Sequence, residues 1–209
     1  AVPGDVRFVD INNDNEIDDK DREILGSPHP KMTYGINANM SYKGFDVTMF
    51  FLGVAGVEIY NAGRMEGLDA SYNFNYFSEI TGRWTGEGTS NTIPRVSTLS
   101  TNLNYRTSDM FIESGDFLRL KTLTIGYTLP TLVTDKLGFS RLRFYVSGQN
   151  VFTITGYSGA DPELGLSRTQ GPNPLDVVNL PGRSNLQQNV DFAQFPQART
   201  FLLGVNIGF

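Results

Sequence analysis

The chain has 209 residues, 39% hydrophobic and 12% aromatic, with 15 Phe and 9 Tyr beside a single Trp, and its formal net charge is -5. That acidity, without any Lys/Arg cluster longer than two, excludes nucleic-acid binding through a basic patch, and the lack of cysteine excludes disulfide frameworks and zinc–thiolate sites. The longest stretch free of polar and charged side chains, Met49 to Val57, is nine residues. A membrane-crossing helix needs roughly 20, whereas a mean hydropathy of -0.23 suits a membrane barrel whose strands face lipid on one side and water on the other.

At the start, Ala1-Val2-Pro3 offers neither an initiator Met nor a leader pattern, so the chain is expected to have lost its beginning. Asp10-Ile11-Asn12-Asn13-Asp14-Asn15-Glu16-Ile17-Asp18-Asp19-Lys20-Asp21 has the spacing of a calcium loop. In that reading Asp10, Asn12 and Asp14 supply side-chain oxygens, Glu16 its carbonyl, Asp18 a water-mediated contact and Asp21 the closing carboxylate, with Ile17 pointing inward. Asn15 replaces the usual Gly and Asp21 the usual Glu. Asn tolerates positive φ, and the shorter Asp arm makes a looser site. Six carboxylates in twelve residues repel one another unless a cation is present. The competing reading is a solvated acidic turn.

Strict alternation, the mark of a strand whose faces see different solvents, begins over 33–42, with Tyr34, Ile36, Ala38, Met40 and Tyr42 against Thr33, Gly35, Asn37, Asn39 and Ser41. Lys43-Gly44 reverses the chain into a second strand over 45–53. Residues 54–109 lose the period and predict a long loop with short helices, for example near Glu66. A strand follows over 110–129, where Arg119 and Lys121 interrupt the apolar face and are expected above the hydrocarbon, and Gly115 suggests a bend. Pro130 stops it. A further strand spans 141–153, a second long loop 154–198, and a last strand 199–209, in which Phe201, Leu203, Val205, Ile207 and Phe209 oppose Thr200, Gly204, Asn206 and Gly208.

These elements predict an all-β protein: a transmembrane antiparallel β-barrel of which this is a C-terminal segment of about five strands. Short turns alternate with long loops. In bacterial outer-membrane barrels the short turns are periplasmic, so residues 1–31 are expected outside the cell and Phe209 at the periplasmic rim. Five strands cannot close, since the smallest natural barrels use about eight. More strands are therefore expected upstream, because lipid tolerates no open edge.

No catalytic constellation emerges. His29 has no second His or Cys to act with, and Glu113 with Asp116, or Asp161 with Glu163, read as ordinary loop carboxylates rather than a tuned glycosidase pair. Gly86-Glu87-Gly88 lacks the Lys and the strand-to-helix context of a phosphate loop. Tyr60, Tyr72, Phe74, Tyr76 and Phe77 are candidates for stacking on sugar rings, for packing their loop or for contacting a partner.

Several segments together resemble the SusC/RagA family of TonB-linked outer-membrane transporters. These are Pro3-Gly4-Asp5-Val6 before the acidic loop, Tyr42-Lys43-Gly44-Phe45-Asp46, Arg83-Trp84-Thr85-Gly86-Glu87-Gly88-Thr89-Ser90-Asn91, Leu118-Arg119-Leu120-Lys121 to Gly126-Tyr127-Thr128-Leu129-Pro130, Ser147-Gly148-Gln149-Asn150 and Gly159-Ala160-Asp161-Pro162-Glu163. The resemblance implies a roughly 22-stranded barrel with an N-terminal plug. It also implies a SusD-like lipoprotein capping the outside, import of an oligosaccharide or peptide substrate, and energy from TonB through a part not present here. The outer faces then meet outer-membrane lipid, no nucleic acid is involved, calcium is structural, and the piece is not an enzyme. The alternative is a soluble calcium-stabilised β-sandwich serving as a binding module.

Overall fold

The computed structural model describes residues 2–71, 75–98, 103–164 and 188–209. Two compact units emerge, one built from 1–27, 59–113 and 164–194 and the other from 28–58, 114–163 and 195–209.

The second unit is a five-stranded antiparallel sheet of β1 (Met32–Tyr42), β2 (Phe45–Ala55), β5 (Phe117–Thr128), β6 (Arg141–Thr155) and β8 (Thr200–Gly208), in that spatial order. The alternating sequence produces it directly, since each strand has one apolar and one polar row. Lys43 and Gly44 both sit at positive φ, 47° and 87°, the geometry of a two-residue turn whose twist matches that of its strands. Between β5 and β6, α2 (Thr131–Thr134) and a 3-10 turn Asp135–Leu137 end on Gly138 at φ 75°. Ser140 donates its N–H to the Gly208 carbonyl at 2.9 Å, and the Phe139 and Phe209 rings meet edge-on, so the end of β8 is fastened beside this connection. Among the described residues β1 pairs only with β2 and β8 only with β6, leaving one open edge at each side of the sheet.

The strand expected over 110–129 is divided. Asp109–Phe111 is a 3-10 turn, β4 (Ile112–Ser114) joins a different sheet, and the long strand begins at Phe117 after the Gly115 bend. Asp116 anchors the start of β5, its Oδ1 accepting from the N–H groups of Gly56 at 2.7 Å and Val57 at 3.2 Å.

The first unit gives structure to what read as unpatterned loop. β3 (Glu58–Asn61) lies between β4 and β7 (Val190–Asp191) and leads into α1 (Ala62–Leu68), where the Asn61 side chain caps the first turn by accepting from Arg64 N–H at 2.8 Å. Leu68, Tyr105 and Phe111 form its core with Tyr60, Met65, Ile80 and Met110 around them. Arg64 forks onto Glu79 and donates to the Met110 carbonyl, so one guanidinium ties α1 to two separate stretches. Burial pushes the Tyr105 phenol up to about 12. Pro3-Gly4-Asp5-Val6 docks on the stretch after Arg83: the Trp84 ring covers Gly4, Arg95 binds Asp5 at 2.7 Å, and buried Asn104 bridges Asp5 and the Val6 N–H.

Candidate functional site: two faces of one sheet

Residues directly opposite in an antiparallel pair share a face, so the register reveals what each side of the sheet presents. One face carries continuous rows running across the strands: Tyr42, Phe45, Tyr127, Phe144, Val205; then Met40, Val47, Ile125, Val146, Leu203; then Ala38, Met49, Leu123, Gly148, Phe201; then Ile36, Phe51, Leu120, Phe152. Nothing here is charged. On β8 this face stands in the open, with Phe201 68%, Leu203 81%, Val205 49% and Ile207 49% exposed. A soluble sandwich would cover such a face; among the described residues most of its large side chains stand exposed, with Leu120 and Leu142 buried.

The opposite face carries Asn39, Thr48, Thr124, Ser147 and Leu202 in one row and Ser41, Asp46, Gly126, Tyr145 and Gly204 in the next. Two of its charges pair across the sheet. Arg143 on β6 reaches across β5 to Asp46 on β2, with Nε at 2.9 Å from the carboxylate, and passes over Gly126, where any Cβ would strike the guanidinium. A side chain there would push the guanidinium off Asp46. Tyr145 lies over Gly204 in the same way.

Arg119 and Lys121 correct the expectation that they interrupt the apolar face. Phe50 pairs with Thr122 but Phe51 pairs with Leu120, so Lys121 is an extra residue, a β-bulge, and the chain on β6 between Gln149 and Phe152 widens beside it with Asn150 at φ 50°. The bulge shifts the phase by one. Leu118 and Leu120 therefore share the apolar face with Leu123 and Ile125, while Arg119, opposite Leu52 and Thr153, lies on the polar one.

There Arg119 is the centre of a buried network, its side chain only 3% exposed. Nε donates to Thr153 Oγ1 at 2.7 Å, one terminal nitrogen to Glu163 at 2.7 Å and the other to Asp161 at 2.5 Å. Lys121 Nζ is 2.8 Å from both Glu163 oxygens. Asp161 also accepts from the N–H groups of Glu163 at 2.9 Å and Gln197 at 2.8 Å. Burial alone would raise the Asp161 pKa; Arg119 and the two N–H groups prevail and hold it below the usual carboxylate range. Two cations and two carboxylates cancel, so Asp161 and Glu163 are structural partners rather than an acid–base pair. Sequence reasoning missed this cluster, although the change of spacing from Leu118-Leu120 to Leu123-Ile125-Tyr127 carried the signal.

The acidic loop lies in the first unit. Asp10 accepts from the N–H groups of Asp14 and Asn15, Asn12 Oδ1 from Asp14, Asp14 from Glu16, and Asp21 from Ile11 and Asp18. Backbone donation, from Glu16 and from Asp18 respectively, holds Asp14 and Asp21 below their ordinary pKa. Asn13 and Asn15 take positive φ, 60° and 66°, as the tight turns need. The Lys20 ammonium lies 3.4 Å from Asp14 and 3.5 Å from Asp18. Ile17 does not point inward but is 41% exposed. Among the described residues no three His, Asp or Glu side chains are gathered as a metal holder.

The remaining candidates fill structural roles. Glu113 accepts from the Asn61 amide and Asp116 from backbone N–H groups. Thr89 Oγ1 closes the Gly86–Gly88 turn, accepting from the Thr85 N–H at 2.9 Å and donating to the Gly86 carbonyl at 2.7 Å. His29 is exposed in a bend. Tyr60 belongs to the core shell, Tyr76 bonds the Ala70 carbonyl and Phe77 packs on Gly67, contacts within their own loop, while Tyr76 and Phe77 keep 43% and 44% of their surface exposed. Tyr72 and Phe74 lie outside the described residues, as does most of the 154–198 loop.

No protein-family model matches the chain. Over 208 residues, 99% of its length, it is 34% identical to TonB-dependent receptor P3 of Formosa agariphila, and over 97% of its length it is 28% identical to TonB-dependent receptor SusC of Bacteroides thetaiotaomicron. The chain belongs to the TonB-dependent receptor family. It spans 19% of P3 and 17% of SusC, about a fifth of the curated relatives it matches. Among solved structures it is similar to the RagAB peptide transporter, with a TM-score of 0.66 at 22% identity over 89% of this chain and 18% of that one. The RagAB importer in its open-open state gives 0.65 at 23%. These likenesses show the fold, a mostly β, antiparallel segment. Family membership places the receptor in the outer membrane of a Gram-negative bacterium. Among the described residues no helix is long and apolar enough to cross a membrane.

Proposed function

We propose that this segment is part of the wall of a closed, roughly 22-stranded barrel importing oligosaccharides or peptides, capped by a SusD-like lipoprotein and energised through TonB. The observation carrying this reading is the uncharged face of the five-stranded sheet, mostly exposed in rows of large apolar side chains and backed by a largely polar face of amides, hydroxyls and charges interspersed with Phe50, Leu52 and Leu202. Lipid suits the first and a wet interior the second. The two open sheet edges support closure by further strands. The test uses the full-length receptor. Its expected outcome is an outer-membrane protein whose electrophoretic mobility in detergent changes on boiling, with cargo uptake lost when the neighbouring lipoprotein is removed. A folded, monodisperse monomer of this 209-residue chain in detergent-free buffer would overturn it.

The acidic loop is proposed as a structural calcium site. Asp10, Asn12, Asp14, Glu16, Asp18 and Asp21 offer only oxygen, the ligand type calcium takes, and Lys20 already places a cation between two of these carboxylates. Bound calcium would supply charge neutralisation and rigidity. Calorimetric titration of the receptor with calcium is expected to show one binding event that Asp10→Ala with Asp14→Ala abolishes. An unchanged titration in that double variant removes the site.

A further inference from the structure

The chain leaving β6 turns back over the polar face of the sheet instead of continuing outward. Thr155 Oγ1 ties to the Asp116 carbonyl at 2.8 Å and accepts from the Tyr157 N–H at 3.1 Å, which starts the turn. Asp161 and Glu163 then arrive at Arg119 and Lys121, side chains that the bulge brings to the polar side. Asp161, Pro162 and Tyr157 are buried. The Arg119 guanidinium also lies 5.5 Å from the Phe117 ring centroid, closing the network on its outer side.

We propose that residues 156–163 form an inward-folded constriction of the transport path, latched to the barrel wall by Arg119 and Lys121. This rests on the reading that the polar face lines the lumen. The latch grips through two cations and two carboxylates, of which Arg119 and Asp161 are held almost out of water while Lys121 and Glu163 are partly wetted, so the Arg119–Asp161 contact in particular is not traded for solvent cheaply. Asp161 also receives the Gln197 N–H, so one carboxylate joins the approach to β8 to the segment that leaves β6. Transport of a bulky cargo then requires this latch to open.

The chain has no cysteine, which makes a thiol probe simple to read. In the full-length receptor in the outer membrane, with any other cysteines replaced, Pro162→Cys supplies a buried thiol and Ala160→Cys an exposed reference. Labelling by a membrane-impermeant maleimide and entry of a large hydrophilic antibiotic are followed in Arg119→Met, Arg119→Lys, Glu163→Gln and, at the separate Asp46 pair, Arg143→Met. The expected result is labelling of the Pro162→Cys thiol about tenfold or more faster in Arg119→Met, with increased antibiotic entry, partial restoration in Arg119→Lys, and no change in Arg143→Met. Should Arg119→Met fail to assemble, Glu163→Gln gives the same readout with the volume kept. Unchanged labelling in a boiling-sensitive, assembled barrel overturns the latch while leaving the barrel intact. Faster labelling without entry overturns the constriction. Absence of the unmodified receptor from the membrane overturns the barrel reading itself.

Discussion

Replacing Leu123 with Arg is expected to cost about 2–4 kcal/mol of barrel stability, the depth-dependent penalty for a guanidinium in the hydrocarbon midplane. Leu123 lies in the apolar row of Ala38, Met49, Gly148 and Phe201, with further apolar rows on both sides. The charge would have no partner there, and the apolar rows on both sides separate it from the headgroups. Thr124, one residue on, points to the other face, where its hydroxyl meets Ser147 Oγ at 2.9 Å. Thr124→Arg is therefore expected to leave assembly near normal. The measurement is the amount of boiling-sensitive receptor in the outer membrane, followed by urea unfolding of both variants in liposomes. Equal tolerance of the two substitutions would mean that lipid does not meet the Leu123 face.

Asp161→Ala has the second large expected effect. It removes the closest counter-charge from Arg119, whose side chain is 3% exposed, and leaves Glu163 shared between Arg119 and Lys121. Leaving a buried charge wholly unpaired costs about 3–5 kcal/mol; Arg119 keeps Glu163 at 2.7 Å, so the loss is expected at the low end, about 3 kcal/mol. Asp161 has its pKa lowered in the folded protein relative to 3.8. A depressed carboxyl contributes stability that is fully present above the unfolded value and is lost as pH falls through the folded one. The wild type should therefore lose stability increasingly below pH 3.8, and Asp161→Ala should flatten that part of the profile. Parallel profiles for the two proteins would contradict the assignment.

Much of this sheet was legible because a period of two needs only one buried and one wet side to declare itself. The first hairpin, Lys43-Gly44 with its alternating flanks, and the last strand follow from their own residues. The middle strand did not, since a bulge leaves composition unchanged and alters only phase; Arg119 was assigned to the wrong face for that reason. The short elements of the first unit were hidden differently. Tyr60, Leu68, Tyr105 and Phe111 are brought together from distant stretches, so no local period marks their core. The acidic loop was readable as a ligand spacing, while the engagement of its carboxylates with N–H groups and Lys20 depends on coordinates.

The two-residue turn between β1 and β2 also sets an order of events. Its preset torsions let that hairpin zip from neighbouring residues, an event of about 1–10 microseconds in isolated hairpins. Joining β6 to β8 must instead gather ends far apart along the polymer, and each doubling of such a span adds roughly 0.6 kcal/mol of lost chain freedom. The first pair of strands can thus nucleate early, and β8 comes to its neighbour late.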